Sequence, residues 1–495
     1  MSALLPLFIA IPVFSAIFIL IIGKFDKKHF PRIWSILTSI SLLVILALVW
    51  GKETIVHEMS GWKPPFGVIL VKDYLAQLML LITNGIASLA LIYSFSYIKK
   101  YEDYLRFFTL FLFMLAGMNG VVLTGDLFNL FVFLEIASIA SYALVGYGVD
   151  AEELEASFKY LILGAFASIL ILFGIGMIYA VTGSLNMADV ARFLLEINPD
   201  GSNKSVLMVV GLFIVGFGLK AGLVPFHAWL PDAHSSAPAP ISVMLSGVLI
   251  KVLGIYSLVR VFYNMIGMNP IISNILIVMG SISMVVGALM GFGQDDIKRI
   301  FAFSSISQMG YVVVGIGIGT PFAIIGSLFH LFNHAGFKSL LFLSSGAIER
   351  CRGTRKLSEL GSLREIMPVT SGVSVIGSLS IAGVPPFNGF WSKLIIILAA
   401  FSAGYIWLGV LLILTSFLTL AYYLRFQKNV IFGELTSNTR NVREAPFAML
   451  MPLIILAIFC LFVGIFNGWI IESLIIPAES VILNQLGYIS SVLGI

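Results

Sequence analysis

The sequence predicts an all-α membrane protein of about fourteen transmembrane helices, two of them broken. Hydrophobic residues make up 59% of the 495 and charged residues only 11%, far from the composition of a water-soluble domain. Apolar runs long enough to cross a bilayer recur along the whole chain. In addition, the segment AGLVPFHAW at 221–229 returns as AGVPPFNGF at 382–390, each time inside a long apolar stretch. A proline within a span removes a backbone hydrogen bond and breaks the helix, at about 3 kcal/mol or more unless the freed groups find partners. The same break met twice points to a duplicated module built around discontinuous helices. That architecture places ion sites near the membrane midplane.

The apolar runs fall near 3–23, 31–50, 74–97, 105–124, 127–148, 157–182, 205–232, 239–263, 271–291, 298–318, 321–347, 367–401, 405–431 and 447–471. Residues 472–495 are also apolar but hold Glu472, Pro477 and Glu479, which suits a segment lying along the membrane surface. Met1 to Leu7 carries no basic residue, so no cleavable signal pattern is present and the first span is expected to act as an uncleaved anchor.

Lysine and arginine set the expected orientation. With the N-terminus outside, inward loops hold eighteen: Lys24, Lys27, Lys28, Arg32, Lys99, Lys100, Arg106, Lys298, Arg299, Arg350, Arg352, Arg355, Lys356, Arg364, Arg425, Lys428, Arg440 and Arg443. Outward loops hold six: Lys52, Lys63, Lys72, Arg192, Lys204 and Arg260. This bias predicts both termini outside and a multi-pass protein of the cell membrane. The net charge of +4 is mostly this topology signal and carries no nucleic-acid footprint. The remaining five of the 29 are Lys159, Lys220, Lys251, Lys338 and Lys393, all within spans.

Two cysteines, Cys351 and Cys460, cannot ligate an iron–sulfur cluster and show no metal spacing. No dinucleotide fingerprint or P-loop occurs. No cofactor is expected, and redox or ATP chemistry would belong to partner chains.

A charge inside a span costs roughly 2.5–3.5 kcal/mol on insertion scales, so each needs a partner and a reason. Glu135 lies inside LFNLFVFLEIASIASYALVGY; Asp126, at the mouth of that run, suits a helix cap. Lys220 stands just before the first break, too deep to reach the interface easily, and Glu135 is the obvious carboxylate for it. Moving such a partner can switch the lysine's proton on or off. The alternative is a purely structural ion pair. Lys251 ends ISVMLSGVLIK in mid-span, with snorkelling as the plainer explanation. His330, His334 and Lys338 follow at i, i+4 and i+8 and form one polar stripe on a helix. Histidine suits a proton relay; packed core residues are the alternative, and metal binding by His330 and His334 lacks a nearby carboxylate. Lys393 follows the second break, while His227 and His234 flank the first as gate or interface residues. Lys159, near a span start, is expected to snorkel. Glu135, Lys220, Lys251, His334, Lys338 and Lys393 thus form a titratable series over six spans, a candidate proton or cation path.

The stretches TGDLFNLFVFLEIASIASYAL, GLKAGLVPFHAWLPDAHSSAPAPIS, DDIKRIFAFSSISQMGY, NHAGFKSLLFLSSG and AGVPPFNGFWSK resemble the antiporter-like subunits of respiratory complex I, Mrp cation/proton antiporters and membrane-bound hydrogenases. The similarity covers about residues 70–430 and is nearest to the D-type subunit of Mrp antiporters. It implies fourteen helices with two inverted five-helix repeats. The corresponding segments are helices 1–3 over 1–104, a first repeat over 105–263, a second over 271–431 and a C-terminal helix and tail over 447–495. It also implies that Glu135 and Lys220 are a coupled pair, Lys251 the connecting lysine, His334 and Lys338 the continuation and Lys393 the exit-side lysine. Lys220 aligns with Ile381 and Lys393 with Asp232, so the two lysines stand on opposite sides of their breaks.

The expected function is proton translocation by one subunit of a multisubunit respiratory or hydrogenase-type complex. The chain would be a non-redox part of an oxidoreductase-type translocase, with other antiporter-like and small membrane subunits and a peripheral redox module as partners. The main rival is Na+/H+ antiport within an Mrp complex. A quinone-reducing subunit and a plain membrane anchor are the others; missing cofactor motifs count against the first and the buried charges against the second.

Overall fold

The computed structural model describes residues 1–101, 103–198, 201–434 and 443–494. Arg440 and Ile495, and the side chain of Lys100, lie outside the described residues. Twelve helices among the described residues are long and apolar enough to cross a membrane. The Pro321–Arg352 helix and the broken pair Pro368–Ala382 and Asn388–Ser402 account for the other two runs marked by the sequence.

Helices begin where the sequence supplies a short polar side chain. Asp73, Asp103, Asp126, Asn203, Asn269, Asp296 and Thr320 each accept a hydrogen bond from the backbone N–H three residues on. Each satisfies one of the donors that a helix start leaves open, a contribution of about 1 kcal/mol. Asp126 is the helix cap that its position predicts, 2.8 Å from the amide of Asn129.

The Ala239–Met265 helix runs through the middle of the bundle with every residue buried. It is wound as a π-helix over Leu245–Tyr256 and Arg260–Met265, a geometry that is rare and concentrates at functional sites. Around it pack Tyr74–Tyr97, Lys204–Ala221, Ile297–Ile318 and Pro321–Arg352. The N-terminal pair Leu7–Ile22 and Phe30–Leu48 instead leaves Phe14, Ile17, Ile21, Leu37 and Val44 exposed, as a lipid-facing surface requires.

One end of the bundle carries the basic loops, among them 23–29, 293–296 and 353–362. Ile297 N–H donates to Arg355 O at 3.0 Å and Leu357 N–H to Asp295 O at 2.7 Å, tying two of them together. The other end carries a two-stranded antiparallel ribbon, Ile55–Glu58 with Ile69–Lys72. The C-terminal segments Asn467–Leu483 and Gln485–Leu493 meet there at a bend of 85°, and Asn264 Nδ2 and Gln485 Nε2 donate across to Val481 O and Met265 O.

Among the described residues, four cations counted with the loops are buried. Arg32 packs over the Tyr104 ring. Lys298 lies on the first turn of its helix, facing Glu349. Lys72 donates from the ribbon to Lys52 O. Arg260 sits well inside the central helix, paired with Asp73. Two belong to each loop set.

Candidate functional site

The Lys204–Ala221 helix stops at Gly222, whose φ of +68° is a left-handed cap that costs glycine little. The chain turns through Pro225 and resumes as the Trp229–Ser236 helix. The stop leaves carbonyls open, and the Trp229 indole donates to Leu219 O at 2.9 Å. Lys220, on the last turn, is therefore free to point elsewhere. Its ammonium lies 3.6 Å from Glu135 Oε1, 2.8 Å from Ser138 Oγ and 3.4 Å from Tyr142 OH. These three stand at i, i+3 and i+7, one face of the Leu127–Val145 helix. The Ser168 hydroxyl donates to the carboxylate from the next helix. At an effective dielectric near 20, charges at this separation attract by about 4 kcal/mol. The Glu135 side chain keeps 27% of its surface open on the flank of the bundle, whereas Lys220 keeps 2%.

Lys251 is fully buried, and its ammonium donates to Ser246 O and Gly247 O on its own helix, both at 2.7 Å. Two glycines flank it. A Cβ on Gly254 would come within 2.5 Å of the Ala221 Cα, and one on Gly247 within 2.6 Å of the Ser339 hydroxyl. The missing side chains let the central helix press against the residue next to Lys220 on one side and the residue next to Lys338 on the other. Lys251 is thereby held between them.

On Pro321–Arg352 the polar stripe is buried throughout. His330 Nδ1 lies 2.9 Å from Ser392 Oγ and Nε2 3.1 Å from Gln308 Oε1, so both nitrogens are engaged. Neither ring nitrogen of His334 meets a hydrogen-bond partner among the described residues. Its ring lies 6.4 Å from that of His330 and within electrostatic reach of Lys251, Lys338 and His234. Lys338 donates to Phe301 O at 2.5 Å and to the Ser304 hydroxyl, which lies 2.8 Å from Tyr423 OH.

The second break repeats the stop at Gly383, φ +84°. Here the lysine itself serves the open carbonyls: Lys393 Nζ donates to Ile381 O at 2.8 Å and Ala382 O at 3.4 Å, with Ser416 Oγ at 3.3 Å. It also sits 5.1 Å from the centre of the Tyr311 ring. No carboxylate among the described residues pairs with Lys251, Lys338 or Lys393.

The structure therefore joins Glu135 directly to Lys220 and gathers Lys251, His334, Lys338 and His234 at the centre. His330 links that centre through Ser392 to the helix of Lys393. His227 stays on the partly exposed turn of the first break. Lys159 reaches Glu155 at 2.7 Å and Asp232 at 3.0 Å, so its charge ends in an ion pair at the basic-loop face. Sequence reasoning missed Gln308 and Ser392, the two spacer glycines, and the buried pair of Arg260 with Asp73 at 2.5 Å. Only Gly247 and Gly254 left a signal, as small residues at −4 and +3 from a buried lysine.

A family model described as NADH:quinone oxidoreductase/Mrp antiporter, TM, matches residues 124–419, and one described as NADH-ubiquinone oxidoreductase (complex I), chain 5 N-terminus, matches 63–108. The chain is 35% identical over 501 residues to the D-type subunit of a Na(+)/H(+) antiporter of Alkalihalophilus pseudofirmus, covering 100% of both. It is also 35% identical to the N-type subunit of an NADH-quinone oxidoreductase of Desulforudis audaxviator, covering 96% of this chain and 98% of that one. Among solved structures, a chain of the membrane-bound sulfane sulfur reductase, an archaeal respiratory membrane complex, superposes with a TM-score of 0.91 at 32% identity, covering 99% of this chain and 100% of that one.

Proposed function

Because the chain belongs to the NADH:quinone oxidoreductase/Mrp antiporter membrane family, we propose that it moves protons across the membrane as one subunit of a multisubunit respiratory or hydrogenase-type complex. The observation that carries this reading is the contact of Lys220 with Glu135 beside a broken helix, at the head of a row of buried amines and imidazoles that have no acid of their own. A carboxylate that approaches or leaves Lys220 changes the free energy of its ammonium by several kcal/mol, enough to load or release a proton. Lys251, then His334 and Lys338, and finally Lys393 receive it in turn. Energy arrives from a neighbouring subunit or a peripheral redox module, and the flank on which Glu135 is partly open is where a neighbour would act. Both termini face outside, and spans 4–8 and 9–13 form the two inverted repeats.

The test is the intact complex in proteoliposomes. Glu135→Ala should abolish most proton movement while the subunits still copurify; undiminished movement rejects the relay. The isolated chain should move no ions, and robust transport by it alone would reject the multisubunit reading. A second reading, Na+/H+ antiport within an Mrp complex, is favoured by the full-length similarity to the D-type subunit of a Na(+)/H(+) antiporter. Sodium-dependent proton movement in the same liposomes separates the two.

A further inference from the structure

The short Trp229–Ser236 helix follows the first break and carries His234 on its buried side. Its C-terminal end points at the basic-loop face, where a helix presents unpaired carbonyls and the negative end of its dipole. Two cations from elsewhere in the chain grip that end. Arg355 Nη1 donates to Ser235 O at 2.9 Å, and Lys298 Nζ donates to Ala237 O at 3.0 Å. Each is itself anchored by carboxylates. Arg355 pairs with Asp296 at 2.6 Å and Glu152 at 3.5 Å, and Lys298 with Glu349 at 3.1 Å. Burial alone would push the Arg355 guanidinium down, but Asp296, Glu349 and Glu152 outweigh it and hold it above its ordinary value. It therefore stays a cation. A third contact, from Lys159 and Arg299 to Asp232 at 3.0 and 3.1 Å, holds the outer side of the same helix.

Two adjoining cavities of about 770 and 460 Å³ open on this face and share Glu152, Ser236, Asp296 and Arg355 in their walls. Behind the helix end lies His234, its ring 6.0 Å from that of Phe342, over which the Lys338 ammonium sits at 5.7 Å. The helix end thus separates a wet basin from the buried row.

We propose that Lys298 and Arg355 are positioning residues that latch the Trp229–Ser236 helix shut across this basin, holding His234 against the Phe342 ring that Lys338 also faces. The latch consists of charge-assisted hydrogen bonds to backbone carbonyls. With both cations swung back to their basin carboxylates, the helix end is held by the Ser242 hydroxyl alone, which donates to His234 O at 2.8 Å and Ala237 O at 3.2 Å, and no helical hydrogen bond has to break. This deepens the relay reading and rests on it for its purpose: opening the latch would admit protons from the basic-loop face to His234.

The test uses the assembled complex in membrane vesicles of known sidedness, with Cys351→Ser, Cys460→Ala and a probe cysteine at Ala233→Cys, a fully buried position on the latched helix. A membrane-impermeant thiol reagent is added on the basic-loop face. In the latched parent the probe should react slowly. Lys298→Met and Arg355→Gln should each speed labelling by about tenfold, the change expected for losing one charge-assisted contact, and Lys298→Arg should restore protection. Equal labelling rates in parent and both neutral variants would overturn the latch. Should Lys298→Met fail to assemble, Arg355→Gln, in a loop, carries the test. Labelling leaves proton movement unread, so a failed relay, seen as undiminished pumping by Glu135→Ala, is distinguishable from a failed latch.

Discussion

At the first break the carbonyl of Leu219 accepts from the Gly222 N–H and a neutral indole, and at the second the carbonyls of Ile381 and Ala382 are served by a lysine. Both helices stop in the same way, on a glycine in the left-handed conformation. What differs is who repairs the stop. Trp229 and Phe390 occupy corresponding places, and only the first can donate. At the first break the tryptophan leaves Lys220 free to face an acid; at the second the lysine is bound to the backbone and sees no acid. In the proposed relay, one ammonium would respond to a moving carboxylate, and the other would be a fixed, dipole-stabilised station. The same kind of break would then give a switch at one end of the row and a receiver at the other.

The largest expected effect comes from Lys220→Met. Proton movement by the assembled complex should fall by well over about tenfold, yet thermal stability should change little. Leu219 O keeps its indole donor, and Glu135 stays partly open and bound by Ser168. Lys393→Met should also stop movement but lower stability by about 1–3 kcal/mol, because Ile381 O loses its donor and Ala382 O is left with the Ser416 hydroxyl. If the first variant proves the less stable of the two, as read by thermal unfolding of the purified complex, the division between switch and receiver is wrong.

That division was partly legible in the chain. The fourteen apolar runs, both breaks and the carboxylate for Lys220 follow from hydropathy, proline chemistry and the cost of burying a lone charge. The direction of the Lys393 ammonium did not follow, because a lysine placed after a break can reach back to the preceding carbonyls only if the turn folds it there. Arg260 looked like a loop residue, since its acid, Asp73, lies 187 positions away. His330 read as an accessory residue on the stripe of His334 and Lys338, but its partners Gln308 and Ser392 come from other helices, and no spacing along the chain reports that.

Of intermediate size is the effect of Gly254→Leu. A side chain there meets the backbone of Ala221, so the central helix must move away from the first break, at about 1–3 kcal/mol. Proton movement should fall with Lys251 carried out of reach of Lys220, while Lys393 and the second break are untouched. A variant that retains full movement would show that the distance between the two helices is unimportant.

The smallest effect is expected from Trp229→Phe, which gives the first break the aromatic residue found at the second. With the indole gone, Leu219 O keeps only the Gly222 N–H and competes with Glu135 for the Lys220 ammonium. Movement should drop a few-fold, with assembly intact, and a tryptophan returned at that position should recover it. Unchanged movement would mean that the indole serves packing alone.

The central claim is that Glu135 and Lys220 work as a proton switch rather than as a clasp between helices. The direct measurement is proton movement by the complex carrying Glu135→Lys with Lys220→Glu. A clasp is indifferent to which side holds the positive charge, and its swapped form would keep the same attraction. A switch is not indifferent, because the swap leaves a glutamate beside the first break, with the amine carried to the partly open flank. The swapped complex should therefore assemble as the parent does and move few or no protons, whereas movement at the parent rate would contradict the account.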